Sequence, residues 1–301
     1  MINIFSVGRC LSNKWWALPI LLVGFIGFAQ AATLPDKTLF AGLVGVEWRV
    51  FQSEKKKITH LPAINNPRNI TFNPQQQHIT FVASDASLQT YSVDTREISS
   101  TVDDPENRYT QPKYSANGKR LFSVMLKQGQ SRSTEIVEFI DGEASPRKVV
   151  VKRTAQFDPY MFEERYLYYT TATCVDDCGK MIWELWRKDM FTGIQEQLTL
   201  FNAVSRQPIL KENNTIYFSS NKAGHYHIWR MRAEVGGKAE QLTSGEVHDS
   251  DPAFDREGNL YFIRRTPEEG AALMVRYEDG RLDRVDLPES IEDIRNLEIR
   301  H

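Results

Sequence analysis

Cysteine is nearly absent, at three residues in 301, too few to staple a chain of this length, so apolar burial must hold the fold. Histidine is sparse too, at six positions, and there is no H-E-x-x-H, Walker loop, dinucleotide fingerprint or G-x-S-x-G elbow. Those absences remove the common metalloprotease, nucleotide-binding and α/β-hydrolase readings. A triad is defined in space and not by order, but no motif nominates one, and a non-enzymatic role is expected. Charge is balanced, with 37 Lys and Arg against 39 Asp and Glu, and no basic patch calls for nucleic acid.

The one long apolar run, Trp15 to Phe28, follows Arg9 and Lys14 and precedes Ala29-Gln30-Ala31. This pattern reads as a secretory signal peptide over residues 1–31, cleaved near Ala31. Its 14 apolar residues fall short of the roughly 20 that span a bilayer as a helix. Cys10 lies ahead of the run, where a lipid-anchored precursor would carry its cysteine after it. Cleavage removes two cations and no acids, taking the net charge from −2 to −4. Residues 32–301 are expected to be a single exported domain, a monomer without a membrane span.

What the sequence does have is repetition. Residues 205–243 break into four short apolar and aromatic runs punctuated by Asn, Gly and Lys clusters, the pattern of a four-stranded antiparallel meander. A second copy covers 249–287, and weaker copies open with N-P-R-N-I-T-F at 66, Q-P-K-Y-S at 111 and D-P-Y-M-F at 158. The marker prolines Pro67, Pro112, Pro159, Pro208 and Pro252 are 45, 47, 49 and 44 residues apart, a period that fits propeller blades. The whole blades are expected near 64–103, 108–151, 155–200, 205–244 and 249–288, numbered one to five below. Residues 38–61 read as a blade lacking its first strand, and 293–300 as a first strand lacking its blade. Joined, they make blade six and remove the open edge that an unclosed array would expose. The expected fold is all-β, a six-bladed β-propeller closed by its C-terminal strand.

Cys174 and Cys178, in T-C-V-D-D-C-G-K of blade three, are expected to form a disulfide pinning a hairpin loop in an oxidising compartment. A zinc site takes about four N or S ligands, and no histidine neighbours this pair. His225 and His227 stand two apart, which puts both imidazoles on one face of a strand. They fall in the third strand of blade four, away from a central channel, and beside Tyr226 and Trp229 they read as ordinary strand residues. His60, His78 and His248 form no pattern, so no metal centre or other cofactor is expected.

The runs P-I-L-K-E-N-N-T-I-Y-F-S-S-N-K-A-G-H-Y-H-I-W, P-A-F-D-R-E-G-N-L-Y-F-I and P-K-Y-S-A-N-G-K-R-L-F resemble the repeat of the TolB-like propellers. The resemblance covers about residues 38–300 and is strongest in blades four and five. It implies a periplasmic propeller whose channel mouth binds a protein, an envelope lipoprotein in the type case. TolB itself carries an α/β domain ahead of its propeller, whereas the first blade here begins soon after the signal segment, so a propeller alone is expected. The same repeat type occurs in oligogalacturonate lyases, which use a histidine-rich metal site in the channel.

Residues just ahead of each marker position should enter the innermost strands: Asn66, Gln111, Asp158, Gln207, Asp251 and, before Ile294, Asp293. Such residues often cap turns by bonding nearby amides. As a ring around the axis their three carboxylates would instead favour a cation, or a Lys or Arg from a partner. Two function classes follow: a protein- or peptide-binding scaffold of the envelope, and a metal-dependent lyase. Their discriminator is whether His78, His225, His227 and His248 face the axis. Protein isolated from the periplasm should weigh less than its reduced form by the two hydrogens a disulfide removes. Two alkylatable thiols there would refute the Cys174–Cys178 staple.

Overall fold

The computed structural model describes residues 32–300 apart from 74, 103, 105, 128–132, 141, 142, 144 and 175–178. The expected signal segment at 1–31 lies outside the described residues, as do Cys178 and the side chain of Cys174, and so does the expected disulfide.

The described chain opens with β1 (Thr38–Val44), β2 (Glu47–Glu54) and β3 (Lys57–Asn65). Blade one is β4 (Ile70–Asn73), β5 (His78–Val82), β6 (Leu88–Ser92) and β7 (Ile98–Ser100). Blade two is β8 (Asn107–Tyr114), β9 (Leu121–Lys127), β10 (Thr134–Phe139) and β11 (Arg147–Val150). Blade three is β12 (Gln156–Met161), β13 (Tyr166–Cys174), β14 (Ile182–Asp189) and β15 (Gln195–Gln197). Blade four is β16 (Ser205–Lys211), β17 (Thr215–Ala223), β18 (His225–Arg232) and β19 (Glu240–Gln241). Blade five is β20 (His248–Phe254), β21 (Leu260–Thr266), β22 (Gly270–Arg276) and β23 (Leu282–Arg284). The last strand, β24 (Asp293–Ile299), pairs antiparallel with β1, so blade six has the order β24-β1-β2-β3. The propeller is six-bladed and closed by its C-terminal strand, as the two complementary ends of the sequence predict. Among the described residues no helix is long and apolar enough to cross a membrane.

The core lies between blades rather than within them. Successive residues of a strand point to opposite faces, and each face of a blade meets a neighbour. Tyr168 of β13 packs with Leu185, Ile216 and Phe218 toward blade four, while Leu167 and Tyr169 pack with Phe122 and Val124 of blade two. In β1, Leu39 and Ala41 join Ile70 and Phe81 of blade one, whereas Phe40 joins Tyr261 and Ile263 of blade five. The two remaining junctions are filled by Val82 and Leu88 against Tyr109 and Val137, and by Ile228 against Leu260 and Phe262. Burial on both faces explains near-continuous apolar runs such as L-Y-F-I, which lack a one-sided strand's alternation. Each such Leu, Ile or Phe contributes about 1.5–3 kcal/mol on burial.

The turns that end the innermost strands are built by short polar side chains, as expected where Asx residues mimic a turn. Asn73 Oδ1 accepts from the Gln75 and Gln76 amides at 2.9 and 3.2 Å, and Asp255 Oδ1 from the Asn259 amide at 2.8 Å.

Deleting residues 291–301 removes β24, bares the edge of β1 and takes the buried Ile294 and Leu297 out of the junction with blade five. The truncated chain should aggregate or unfold without a cooperative transition, read by size-exclusion chromatography and thermal melting. A soluble monomer with an unchanged melting curve would show that β24 does not close the ring.

Candidate functional site

The innermost strands β4, β8, β12, β16, β20 and β24 surround the axis. In four of them the ladder slips where a proline interrupts it, between Thr110 and Lys113, Phe157 and Tyr160, Arg206 and Ile209, and Ser250 and Ala253. Each slip holds a residue with left-handed backbone followed by proline: Gln111 (φ 50°), Asp158 (52°), Gln207 (55°) and Asp251 (52°). A bulge re-aims a side chain that a regular strand would alternate away, and proline donates no amide to the broken ladder. Here the bulges turn four polar side chains into an axial cavity of about 200 Å³.

Asn69 and Asn296 complete the cavity's ring, and the structure corrects two of the six expected positions. Asn66 leaves the axis: its Oδ1 accepts from the Trp48 amide at 2.9 Å and its own amide donates to Trp48 O at 2.9 Å. It caps β3, which runs to Asn65, so Pro67 belongs to the linker and β4 begins only at Ile70. Asp293 starts β24 opposite Leu43, where Arg265 Nη2 donates to it at 3.2 Å. The slip in β24 lies further on, at Asn296 (φ 57°) and the buried Leu297. The ring position of β24 is Asn296, three residues beyond Asp293. A register count back from the turn would have found Asn69, which precedes the N-P turn by the interval that separates Gln111 from its own.

Ring members are wired to one another across the blades. The Gln111 amide donates to Asn69 Oδ1 at 3.2 Å, and the Asp158 amide to Gln111 Oε1 at 2.8 Å. The Gln207 amide donates to Asp158 Oδ2 at 3.2 Å, and the Asp251 amide to Gln207 Oε1 at 3.0 Å. Each left-handed residue thus has its exposed amide satisfied by the preceding blade, which offsets a conformation costing about 1–3 kcal/mol. At blade six the series stops: Asn296 Oδ1 and the neighbouring Arg295 Nε are buried without a partner among the described residues. Arg295 instead donates Nη2 to Pro67 O at 2.6 Å and covers the Trp48 ring at 3.8 Å.

The ring is not acidic. It holds two carboxylates, Asp158 and Asp251, and Arg206 lies 3.3 Å from Asp158 Oδ2. The Asp158 carboxylate pushes the Arg206 guanidinium pKa further up. Arg206 also covers Trp183 at 5.2 Å, and Trp183 stacks on Phe157 at 4.8 Å.

Beyond the ring the axis widens into a mouth of about 430 Å³ where the innermost strands end. Phe72, Tyr114, Tyr160, Phe162 and Phe254 line it, together with Lys211. Lys113, Tyr160 and Glu298 line both compartments, which makes them continuous. Glu298 bridges three blades, accepting from Lys113 Nζ at 2.6 Å and from the Phe72 amide at 3.0 Å. Burial pushes the Tyr160 phenol up to about 12, so it stays neutral and donates weakly to Leu210 O at 3.5 Å. Apolar walls with a few fixed polar groups are what a binding recess requires.

Of the histidines, His78, His225, His227 and His248 line neither compartment. His227 is buried with Nδ1 3.8 Å from Asp249 Oδ2, and Asp249 is held by Arg264 at 2.8 and 2.9 Å. Burial lowers the His227 pKa against the pull of Asp249. His60 packs on Phe51 at 5.6 Å. Among the described residues no group of three or more His, Cys, Asp or Glu is arranged to hold a metal.

No protein-family model matches the sequence, and no curated protein matches it significantly. Solved structures do. TolB from Acinetobacter baumannii superposes with a TM-score of 0.69 at 14% identity, over 88% of this chain and 67% of that one. A putative TolB from Agrobacterium tumefaciens gives 0.60 at 12% identity, over 83% and 89%. An oligogalacturonate lyase in complex with manganese gives 0.60 at 11% identity, over 85% and 77%. Likeness at such identities is likeness of fold, and the fold is a TolB-like six-bladed propeller.

Removing the Asp158 side chain strips acceptors from the Gln207 amide and Gln111 Nε2 and leaves Arg206 uncompensated. Asp158→Ala should therefore cost about 1–3 kcal/mol of unfolding free energy, whereas Asp293→Ala, outside the ring, should cost within about 1 kcal/mol. Equal costs in denaturant titrations would show that the ring carries no stability of its own.

Proposed function

We propose that this chain is an exported, periplasmic docking module, in which an extended segment of an envelope protein or peptide enters the wide mouth and reaches the ring. The observation that carries this reading is the break in the ring at blade six. Arg295 and Asn296 line the channel there, and Arg295 Nε, a donor, and Asn296 Oδ1, an acceptor, have no partner among the described residues. An extended segment carries both carbonyl acceptors and amide donors, the two kinds of partner that these atoms lack. Outside the ring the aromatic walls supply area for apolar side chains, and Lys211 supplies a cation at the rim. Likeness to the TolB structures supports a protein partner, and the resemblance of the repeats to the TolB-like family makes an envelope lipoprotein the first candidate. Likeness to the lyase supports the competing enzymatic reading, but the histidines that would serve it lie off the axis among the described residues.

The test uses periplasmic cross-linking to identify the bound protein, then affinity measurement with that purified partner. Asn296→Gly keeps the left-handed backbone and removes the side-chain amide, acceptor and donor together, while Lys211→Glu reverses charge at the mouth. Each should weaken binding about tenfold, or about 1.4 kcal/mol, with melting unchanged. Phe191→Ala, at an exposed position on the outer rim, should have no effect. Loss of binding in the rim variant alone would move the site off the axis.

A further inference from the structure

On the face opposite the wide mouth, two neighbouring blades each present a histidine at the start of a strand. His225 opens β18 of blade four and His248 opens β20 of blade five, and both are exposed. Their ring centroids lie 5.5 Å apart with the planes at 79°. Two imidazoles bound at about 2.0–2.1 Å to one tetrahedral ion have ring centres roughly 5 Å apart, so the pair is already near the spacing that a shared ion needs. We propose that His225 and His248 form an inter-blade site for a borderline divalent transition metal such as zinc, nickel or copper, which imidazole ligands suit.

The arrangement differs from the one the sequence suggests. His225 and His227 share a strand, but His227 is buried against Asp249, while His225 reaches across the junction to another blade. Two protein ligands leave the remaining positions to solvent. Tyr226 packs beside His248 with rings 5.8 Å apart and fixes one side of the site. The nearest cross-strand charge is Arg265, paired with His248 in the sheet register. Its guanidinium is turned to Asp293 at 3.2 Å and to the Ile294 carbonyl, which counters its repulsion of a cation. A bound ion would clamp the β17–β18 hairpin to the head of β20, joining blades four and five on the outer face.

The experiment is calorimetric titration of zinc into untagged protein in which Cys174 and Cys178 are both replaced by serine, so that thiols do not compete. One saturable site is expected near neutral pH. It should weaken at least tenfold in His225→Ala and equally in His248→Ala, with the double variant no worse than either. Acidification should weaken it, because protons compete with the ion for the imidazole nitrogens. His78→Ala should leave it intact. Copper titration followed by electron paramagnetic resonance should show two equivalent nitrogens in the parent protein and fewer in each variant. No saturable binding, or an affinity that either single substitution leaves unchanged, overturns the proposal.

Discussion

Everything in this structure depends on one pairing, that of the last strand with the first. None of the six sheets has a core of its own, since each apolar cluster is shared between two blades. Without β24, blade six has no innermost strand and its junction with blade five loses Ile294 and Leu297. The register of that pairing also sets where Asn296 and Glu298 stand on the axis, so closure and site geometry are fixed by the same ladder.

The repeat was legible because it is written in features that survive divergence: prolines at a near-constant interval, aromatic strand runs and polar turns. The split blade was legible because its two fragments complement one another. The ring was legible in part. Gln111, Asp158, Gln207 and Asp251 precede prolines, and a left-handed residue followed by proline marks each bulge. Blade one misleads because Asn66-Pro67 has the same letters in a linker, where capping Trp48 is the better use of an asparagine. Blade six misleads because its bulge carries leucine in place of proline. The sequence order of polar residues also says little about charge balance, because Arg206 reaches Asp158 from 48 positions away.

Site and scaffold are therefore hard to separate. Gln111, Gln207 and Asp158 spend their side-chain oxygens on neighbouring amides, which makes them structural, yet the same bulges give the axis its polar lining. What is left over for a guest is concentrated where the wiring stops and in the aromatic mouth beyond. Glu298 belongs to both worlds, holding blades one, two and six together while facing the channel.

The interrupted wiring has a consequence for orientation. A perfect sixfold ring would accept an asymmetric guest in six rotational settings of equal energy, a degeneracy of RT ln 6, about 1 kcal/mol, that blurs any fixed pose. Four of the junctions described here are bridged from side-chain oxygen to amide, and the orphaned pair stands at a single azimuth. The channel thus has an origin, and whatever lies along it is assigned a compass bearing relative to the blades as well as a depth.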